Sequence, residues 1–452
     1  MNIKFYNLGK IKETELDLRP MTVIIGPNNS NKTYIAYSIY ALWENLGDLH
    51  IRFNGKQIER NLWSLPIDNC ISLLQTNYSL KNAALGNLEN FFQDSSHQLF
   101  AKTRFGLTLS NEEIRQAIDR IVATKVSLRK DQALSFSIKE DTLSVQAEGY
   151  NLQSPREHLI DSALSAVICQ TIFPFPLALP AERNAFVLIY KLLSNRRYKL
   201  LKETRRQIFN SRVSNKKMEL LKEQGDIGYP KPIEDFLDFL TDVEMAKEPD
   251  TDQEFQKLAN DIERHIQNRN KVYLNPMNLG GKEIRVRVKK GLDIDLHNAS
   301  SSIRQLAPLL LYLRYRAKKN DFLIIDEPEM NLHPESQAKL LEVFGIMVNL
   351  GVRILITTHS PYLMSHLNNL VSGTLITPKI LKDQAASLYL KDSRAFLSMN
   401  QVSAYEMRRN KLRSLKDEDY GICWDTLSDV SSDIQQKYFE IYEKEEKIRE
   451  EE

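Results

Sequence analysis

Cysteine is scarce in this chain: Cys70, Cys169 and Cys423 are the only three in 452 residues. They lie far apart and match no zinc-ligand spacing, which excludes a disulfide scaffold and a structural zinc module. They read as reduced, buried thiols. Long apolar runs are missing too. No stretch approaches the ~18 residues that a bilayer crossing needs, and the N-terminal MNIKFYNLGK lacks the apolar core of a secretory leader. A cytoplasmic protein without a membrane partner is the expectation. Charge of one sign is missing as well. The net value is +2, from 61 Lys/Arg against 59 Asp/Glu, so any nucleic-acid surface has to be local. No internal repeat stands out. What is there, 42% apolar and 27% charged residues, is ordinary globular composition with length for two or three domains.

Apolar alternation at Ile3, Phe5 and Leu8, then at Leu16 and Leu18, predicts two early strands. MTVIIG (21–26) is a short apolar run ending in glycine, as a buried parallel strand is. Residues 33–43 follow helical spacing, and 44–95 read as mostly helical without recognisable chemistry. From about 98 to 148, KTRFGLTLS, KVSLRK and ALSFSIKEDTLSVQA alternate like antiparallel strands. A helix over 155–170 leads into FPFPLALPAERNAF, an apolar strand punctuated by proline. After 272 come the strands KEIRVRVKK and LDIDLHN and a helix from Ser302 to about Lys318. FLIID and VRILITTH then flank a helix at 334–349, a βαβ unit that argues for a parallel sheet. The tail from 391 carries a hairpin and ends in the charged helix YFEIYEKEEKIREEE.

Residues 187–271 differ in character. Eleven Lys/Arg face three Asp/Glu over 191–224, and twelve acidic residues face four basic ones over 225–265. A helical insertion with segregated charge fits this pattern. Two helices pairing through opposite charge is one reading, and a basic face for nucleic acid or an acidic partner is the other. No aromatic residues interleave with the basic ones for base stacking.

Four stretches carry chemistry. GPNNSNKT (26–33) follows a strand and opens a helix, and differs from the phosphate-loop pattern G-x-x-x-x-G-K-[ST] only at Asn31. Backbone N–H groups at such a helix start point at phosphates. Gly26, Pro27, Asn28, Asn29, Ser30 and Asn31 form the cradle, Lys32 faces the β- and γ-phosphates, and Thr33 offers a hydroxyl to Mg²⁺. Asparagine is the commonest non-glycine residue in the left-handed region, so Asn31 keeps the backbone possible. FLIIDEPEMNLHPESQ (322–337) ends an apolar strand in two carboxylates: Asp326 for the metal or its water shell, Glu327 as general base. VRILITTHS (352–360) ends a third strand in His359, placed to sense a γ-phosphate. NASSSIRQLAPLLLYLR (298–314) begins with hydroxyl residues. Ser300 is a helix cap there, and the same geometry presents a hydroxyl and N–H groups to a phosphate.

The order of these stretches resembles the ABC-type ATPase heads of the SMC, RecF and OLD proteins, most of all the small bacterial ATPases of anti-phage defence systems. The resemblance is strong over 1–45 and 272–370 and weak over 98–186. It implies an α/β fold, a P-loop head with a mixed or parallel sheet core, an antiparallel β-subdomain and a helical insertion. The head divides as 1–186 and 272–390, with the insertion at 187–271 and a C-terminal extension at 391–452. ATP and Mg²⁺ are the implied ligands, with ATP held between two copies of the chain, so that Ser300, Ser301 and Ser302 reach the γ-phosphate of the other copy. Asn331 and His333 continue the carboxylate motif, Gln93 or Gln98 supplies the Q-loop glutamine, and PAERNAF (180–186) is similar enough to place Arg183 near the shared core. Two departures stand out: Asn31, and Ser301–Ser302 where the signature has glycines. They imply slow hydrolysis, while Asp326, Glu327 and His359 are intact. The function implied is a sensor or scaffold ATPase governing a separate effector protein, nuclease or toxin. Glu406, Asp417, Glu418 and Asp419 form no strand-embedded acid pair of the Toprim kind. The alternatives are a RecF-like DNA-repair ATPase, with DNA on 191–224, and an assembly module without turnover.

Overall fold

The computed structural model describes residues 1–47, 50–53, 55–59, 61–80, 88–94, 96, 98–122, 125–129, 132–148, 157–193, 229–246, 249–277, 282–372, 385–417, 421–424, 432–433 and 435–439. Five apolar residues in a row make strand β1 (Met21–Ile25), and all five are buried. A strand buried on both faces belongs inside a sheet covered on two sides, and β1 is an inner member of a six-stranded one. Its partners in chain order are β2 (Pro176–Leu179), β3 (Phe322–Asp326), β4 (Arg353–Thr358), β5 (Val402–Arg408) and β6 (Lys411–Ser414). The spatial order is β2-β3-β4-β1-β5-β6. The first five run parallel, and β6 returns antiparallel to β5 as a hairpin.

Alternate residues of these strands feed two cores. Val23, Ile25, Leu323, Ile325, Ile354 and Ile356 face one, and Ile24, Phe322, Ile324 and Leu355 face the other. Helix α1 (Lys32–Gly47) lies on the second side, where Trp43 packs 5.0 Å from Phe173 and 4.8 Å from Phe322, centroid to centroid. The first side is covered by α2 (Ser301–Tyr315), α3 (Pro334–Asn349) and α4 (Pro361–Ser372). Antiparallel sheets flank the parallel one. Ile11–Asp17, Asn2–Leu8 and Arg104–Thr108 form one of them, and five strands between Lys56 and Glu148 form another. This is the α/β head expected from the motifs.

Three segments differ from the expectation. Residues 44–95 hold two strands, Lys56–Glu59 and Leu62–Pro66, besides helices. The first is exposed at all four positions, an edge strand with no apolar alternation to betray it. A helix, Asn111–Ile121, interrupts the strand region, and its start is a reciprocal cap between Ser110 and Glu113. The C-terminal extension does more than append a hairpin, because β5 sits in the parallel sheet directly against β1. Of the charged segment, the helices Lys231–Met245 and Gln253–His265 place Phe236, Leu240, Phe255 and Ile262 in the core of the main sheet. Its basic half lies outside the described residues beyond 193. None of the three cysteines forms a disulfide among the described residues; Cys70 and Cys169 are buried and Cys423 is half-buried. Among the described residues no helix is long and apolar enough to cross a membrane.

Helix α3 is buried nearly all round, and at Gly345 it touches the turn Ser393–Ala395. A Cβ there would overlap the Ala395 carbonyl oxygen, a backbone atom that cannot swing aside. Gly345→Ala gains ~1 kcal/mol of helix propensity but forces an overpacking cost of about 1–3 kcal/mol. The expected outcome is a lower midpoint in thermal unfolding. An unchanged or higher midpoint would mean that the 393–395 turn yields freely.

Candidate nucleotide site

Parallel register brings the polar tips together. Thr358 pairs with Ile25, Asp326 with Thr357 and Glu406 with Ile25, so β1, β3, β4 and β5 all end at one edge. Ligands of open α/β sheets bind at that edge. The 26–33 loop leaves β1 there. Gly26 is required by packing, since a Cβ would stand 2.9 Å from the Met407 carbonyl oxygen of β5. Asn29 and Asn31 take left-handed φ values of 58° and 70°, which asparagine tolerates. The backbone thus turns as it would with glycine at 31. The Asn31 amide reaches across to Asn410 Oδ1 at 3.4 Å, at the tip of the β5–β6 hairpin.

Lys32 is buried, and its Nζ donates to the carbonyls of Gly26 (3.0 Å) and Pro27 (2.9 Å). It also lies 3.0 Å from His359 Nε2. Burial lowers the ammonium pKa, and the fields of Glu327, Asp326 and Glu329 oppose that. Thr33 Oγ1 donates to Asp326 Oδ2 at 3.1 Å, and Thr357 Oγ1 donates to the other carboxylate oxygen. Burial raises the Asp326 pKa against these two hydrogen bonds. Glu327 has a left-handed φ of 46°, uncommon for a non-glycine residue and a feature of functional turns. Its N–H is fixed to the Thr357 carbonyl at 2.9 Å, and Oε1 lies 2.9 Å from His359 Nε2. That nitrogen serves one partner at a time: unprotonated, it accepts from Lys32; protonated, it donates to Glu327.

Contacts thus join the sequence-predicted residues pairwise: Thr33 to Asp326, Lys32 to His359 and His359 to Glu327. Ser300 to Ser302 are not part of that cluster. Ser300 caps α2 by accepting from the Ile303 N–H, and its Oγ lies 3.0 Å from that of Ser302. Gln93 and Gln98 are both exposed on a segment whose Phe92 and Phe100 pack on Tyr34, directly after Thr33. Asn331 has a φ of 60°, and His333 caps α3. Glu406 is buried in β5 and accepts from Trp424 Nε1, while Glu418 and Asp419 lie outside the described residues.

Sequence reasoning missed Glu329. Its Oε1 accepts from Thr358 Oγ1 and from the His359 N–H, both at 2.7 Å, which holds the histidine backbone. The DEPE spacing was the available signal. It also gave Arg183 no role.

Two buried atoms test the fit to a triphosphate. Ser30 Oγ in the loop and Glu329 Oε2 have no hydrogen-bond partner among the described residues. A buried polar atom left so costs about 1–3 kcal/mol, and a phosphate oxygen over the loop would satisfy the hydroxyl. The donor set suits Mg²⁺, which takes hard oxygens and needs only one or two from protein when phosphates supply the rest. Thr33 Oγ1 and Asp326 Oδ2, 3.1 Å apart, would supply those oxygens. Among the described residues no group of three or more His, Cys, Asp or Glu is arranged to hold a metal by itself.

A comparison with protein families matches residues 1–364 to the AAA ATPase domain. A search of curated proteins finds no match. Among solved structures the chain is similar to an SmcHead bound to the C-winged helix domain of ScpA, at 12% identity and TM-score 0.39, covering 92% of this chain and 97% of that one. It is similar to an Smc head domain with an extended coiled coil, bound to the C-terminal domain of ScpA derived from Pyrococcus furiosus. The identity is 12%, the TM-score 0.37, and the coverage 96% of this chain and 98% of that one. A third is the SMC head domain from Thermotoga maritima, at 10% identity and TM-score 0.29, covering 81% of this chain and 90% of that one. These overlaps are loose, and the chemistry is read from this chain's own residues.

Proposed function

Since the chain belongs to the AAA ATPase domain family, we propose that it is a slow ATP hydrolase of the ABC head type, a sensor or scaffold controlling a separate effector in bacterial anti-phage defence. The observation that carries the catalytic part is the run of contacts Thr33–Asp326, Lys32–His359 and His359–Glu327. Each is 3.1 Å or shorter, at the carboxyl ends of three neighbouring strands. The defence role rests on the resemblance of these motifs to the small bacterial ATPases of anti-phage defence systems.

In this mechanism the N–H groups of residues 28–33 cradle the triphosphate, and Lys32 exchanges its two carbonyl partners for β- and γ-phosphate oxygens. Thr33 and Asp326 would hold Mg²⁺, which would supply positive charge against the phosphates. Glu327 accepts the proton of the attacking water as its oxygen bonds to the γ-phosphorus and the bond to the ADP oxygen breaks. His359, freed from Lys32, donates toward the γ-phosphate. Ser300 to Ser302 of a second copy close the site, which makes the active form a head-to-head dimer. Residues 1–186 and 272–390 form this head, completed by β5 and by the helices Lys231–Met245 and Gln253–His265 that pack into its core, and the basic stretch 191–224 is the part that could address a partner.

Asn31 sets the pace. Its side chain occupies the place where glycine leaves the phosphates bare, and it is tied to Asn410. The test is ATP binding and phosphate release by the purified chain, with a plasmid-cleavage assay beside it. Saturable ATP binding is expected, with turnover well below the ~10 s⁻¹ typical of enzymes and no cleavage. Asn31→Gly is expected to raise turnover about fivefold or more, equivalent to ~1 kcal/mol of barrier. Absence of ATP binding, or metal-dependent DNA cleavage that survives Asp326→Ala, would overturn the proposal. Binding with no phosphate release over hours would leave an assembly module instead.

A further inference from the structure

Arg183 is 2% exposed and makes no ion pair at contact distance among the described residues, yet all of its hydrogen-bonding groups are used. Four of these bonds go to backbone carbonyls. Nε donates to Gln305 of α2 at 3.0 Å, Nη1 to Pro180 at 2.9 Å and to Asp326 at 2.8 Å, and Nη2 to Glu327 at 3.2 Å. With the Gln305 amide oxygen turned toward the guanidinium, it accepts from Nη2 at 2.8 Å as well. The neighbouring residues repeat the clasp, since Arg304 Nε donates to Asn184 Oδ1 at 2.8 Å. One planar fork thus spans the first turns of α2 and the two peptides that carry both site carboxylates. Burial pushes the guanidinium down to about 10, opposed by the fields of Asp326, Glu329, Tyr37 and Glu327, so it stays charged at neutral pH.

We propose that Arg183 is a positioning residue that links the start of α2 to the Glu327 carboxylate, so that docking of a second copy on Ser300 sets the general base. This rests on the roles given above to Ser300 and Glu327. Glu327 is where such a link has most effect. Its backbone is in the left-handed region, and its carboxylate lies beside His359. A small rotation of the 326–327 peptides moves that carboxylate off the attacking water, and α2 can impose the rotation only through a rigid, multiply bonded strut. A lysine keeps the charge but has no planar fork, so it cannot bind carbonyls on both sides in fixed directions.

The test is a double-mutant cycle of Arg183→Lys and Glu327→Gln, read by phosphate release. Arg183→Lys is expected to lower kcat about 30- to 100-fold, the scale of a reacting group displaced by ~1 Å. KM is expected to stay within about threefold. In the Glu327→Gln background it is expected to lower turnover no further, because the base it serves is gone. A merely structural role would instead lower the melting temperature with kcat per folded protein unchanged, or add its full effect to Glu327→Gln. Either result overturns the proposal. If Arg183→Lys does not fold, hydrogen exchange on the wild-type protein decides. ATP with Mg²⁺ is expected to slow exchange together in 183–187, 303–307 and 327–330, and slowing confined to 26–36 overturns the link. Wild-type protein that binds ATP but never releases phosphate would strike the proposed hydrolysis, and the exchange pattern would still read the link. Normal wild-type turnover with an unchanged Arg183→Lys kcat strikes the link alone.

Discussion

Glu327→Gln is expected to lower phosphate release by about 10²- to 10⁴-fold, the contribution of a positioned general base, while ATP still binds. The substitution is close to isosteric, and the left-handed backbone at 327 is set by its N–H bond to Thr357 and its carbonyl bond to Arg183. Neither involves the side chain. What is lost is proton acceptance at a point 2.9 Å from His359 Nε2. If the active form is the proposed dimer, ATP is expected to persist between its two copies, and the variant to elute as a dimer with ATP and Mg²⁺ under conditions where the parent returns to monomer. Phosphate release under single-turnover conditions and the elution volume are the two readouts. Equal turnover and equal dimerisation in parent and variant would remove Glu327 from its role.

Lys32→Ala is expected to act on binding rather than on the chemical step. Hydrogen bonds to an ionised group contribute about 1.5–3 kcal/mol each, so losing even one to a phosphate weakens ATP by roughly 10- to 150-fold. Lys32 is satisfied without ligand by two loop carbonyls and His359. Its removal takes a neighbouring cation from Asp326, Glu327 and Glu329 and also takes from the interior a charge that burial disfavours, so the free protein is expected to change little in stability. The thermal shift separates the effects. ATP at about 100 times its dissociation constant adds ~2.7 kcal/mol to the parent, a rise of several degrees. At the same ATP concentration the variant is expected to keep only about 0.3–1.4 kcal/mol of it. A preserved shift would place the phosphates elsewhere.

The site was legible where chemistry and periodicity coincide. Apolar runs of five or six residues ending in Gly26, Asp326 or His359 announce both a buried strand and its polar tip. The left-handed turn at Asn31 followed from what asparagine allows. Other features left no such trace. Arg183 acts on carbonyl oxygens, which every residue owns, so no side-chain pattern marks its partners. Strand β5 reads VSAYEMR, with Ser403 and Glu406 at buried positions. Their burial makes sense only beside Thr22, whose Oγ1 is 3.0 Å from Ser403 Oγ, and Trp424, which donates to Glu406. Ser110 and Glu113 did announce a helix start, but the alternating stretches on either side masked it.

The hydrogen bonding of β1 to β5 has a consequence for biosynthesis. Strand β1 is made well before its neighbour β5: Thr22 and Ser403, whose hydroxyls meet across the two, lie 381 residues apart. Until the ribosome releases residues 402–408, one flank of β1 offers bare N–H and C=O groups to any passing strand. A nascent chain in that condition is open to mispairing. The outer contacts of the 26–33 loop, Met407 against Gly26 and Asn410 against Asn31, form only after residue 410 is made.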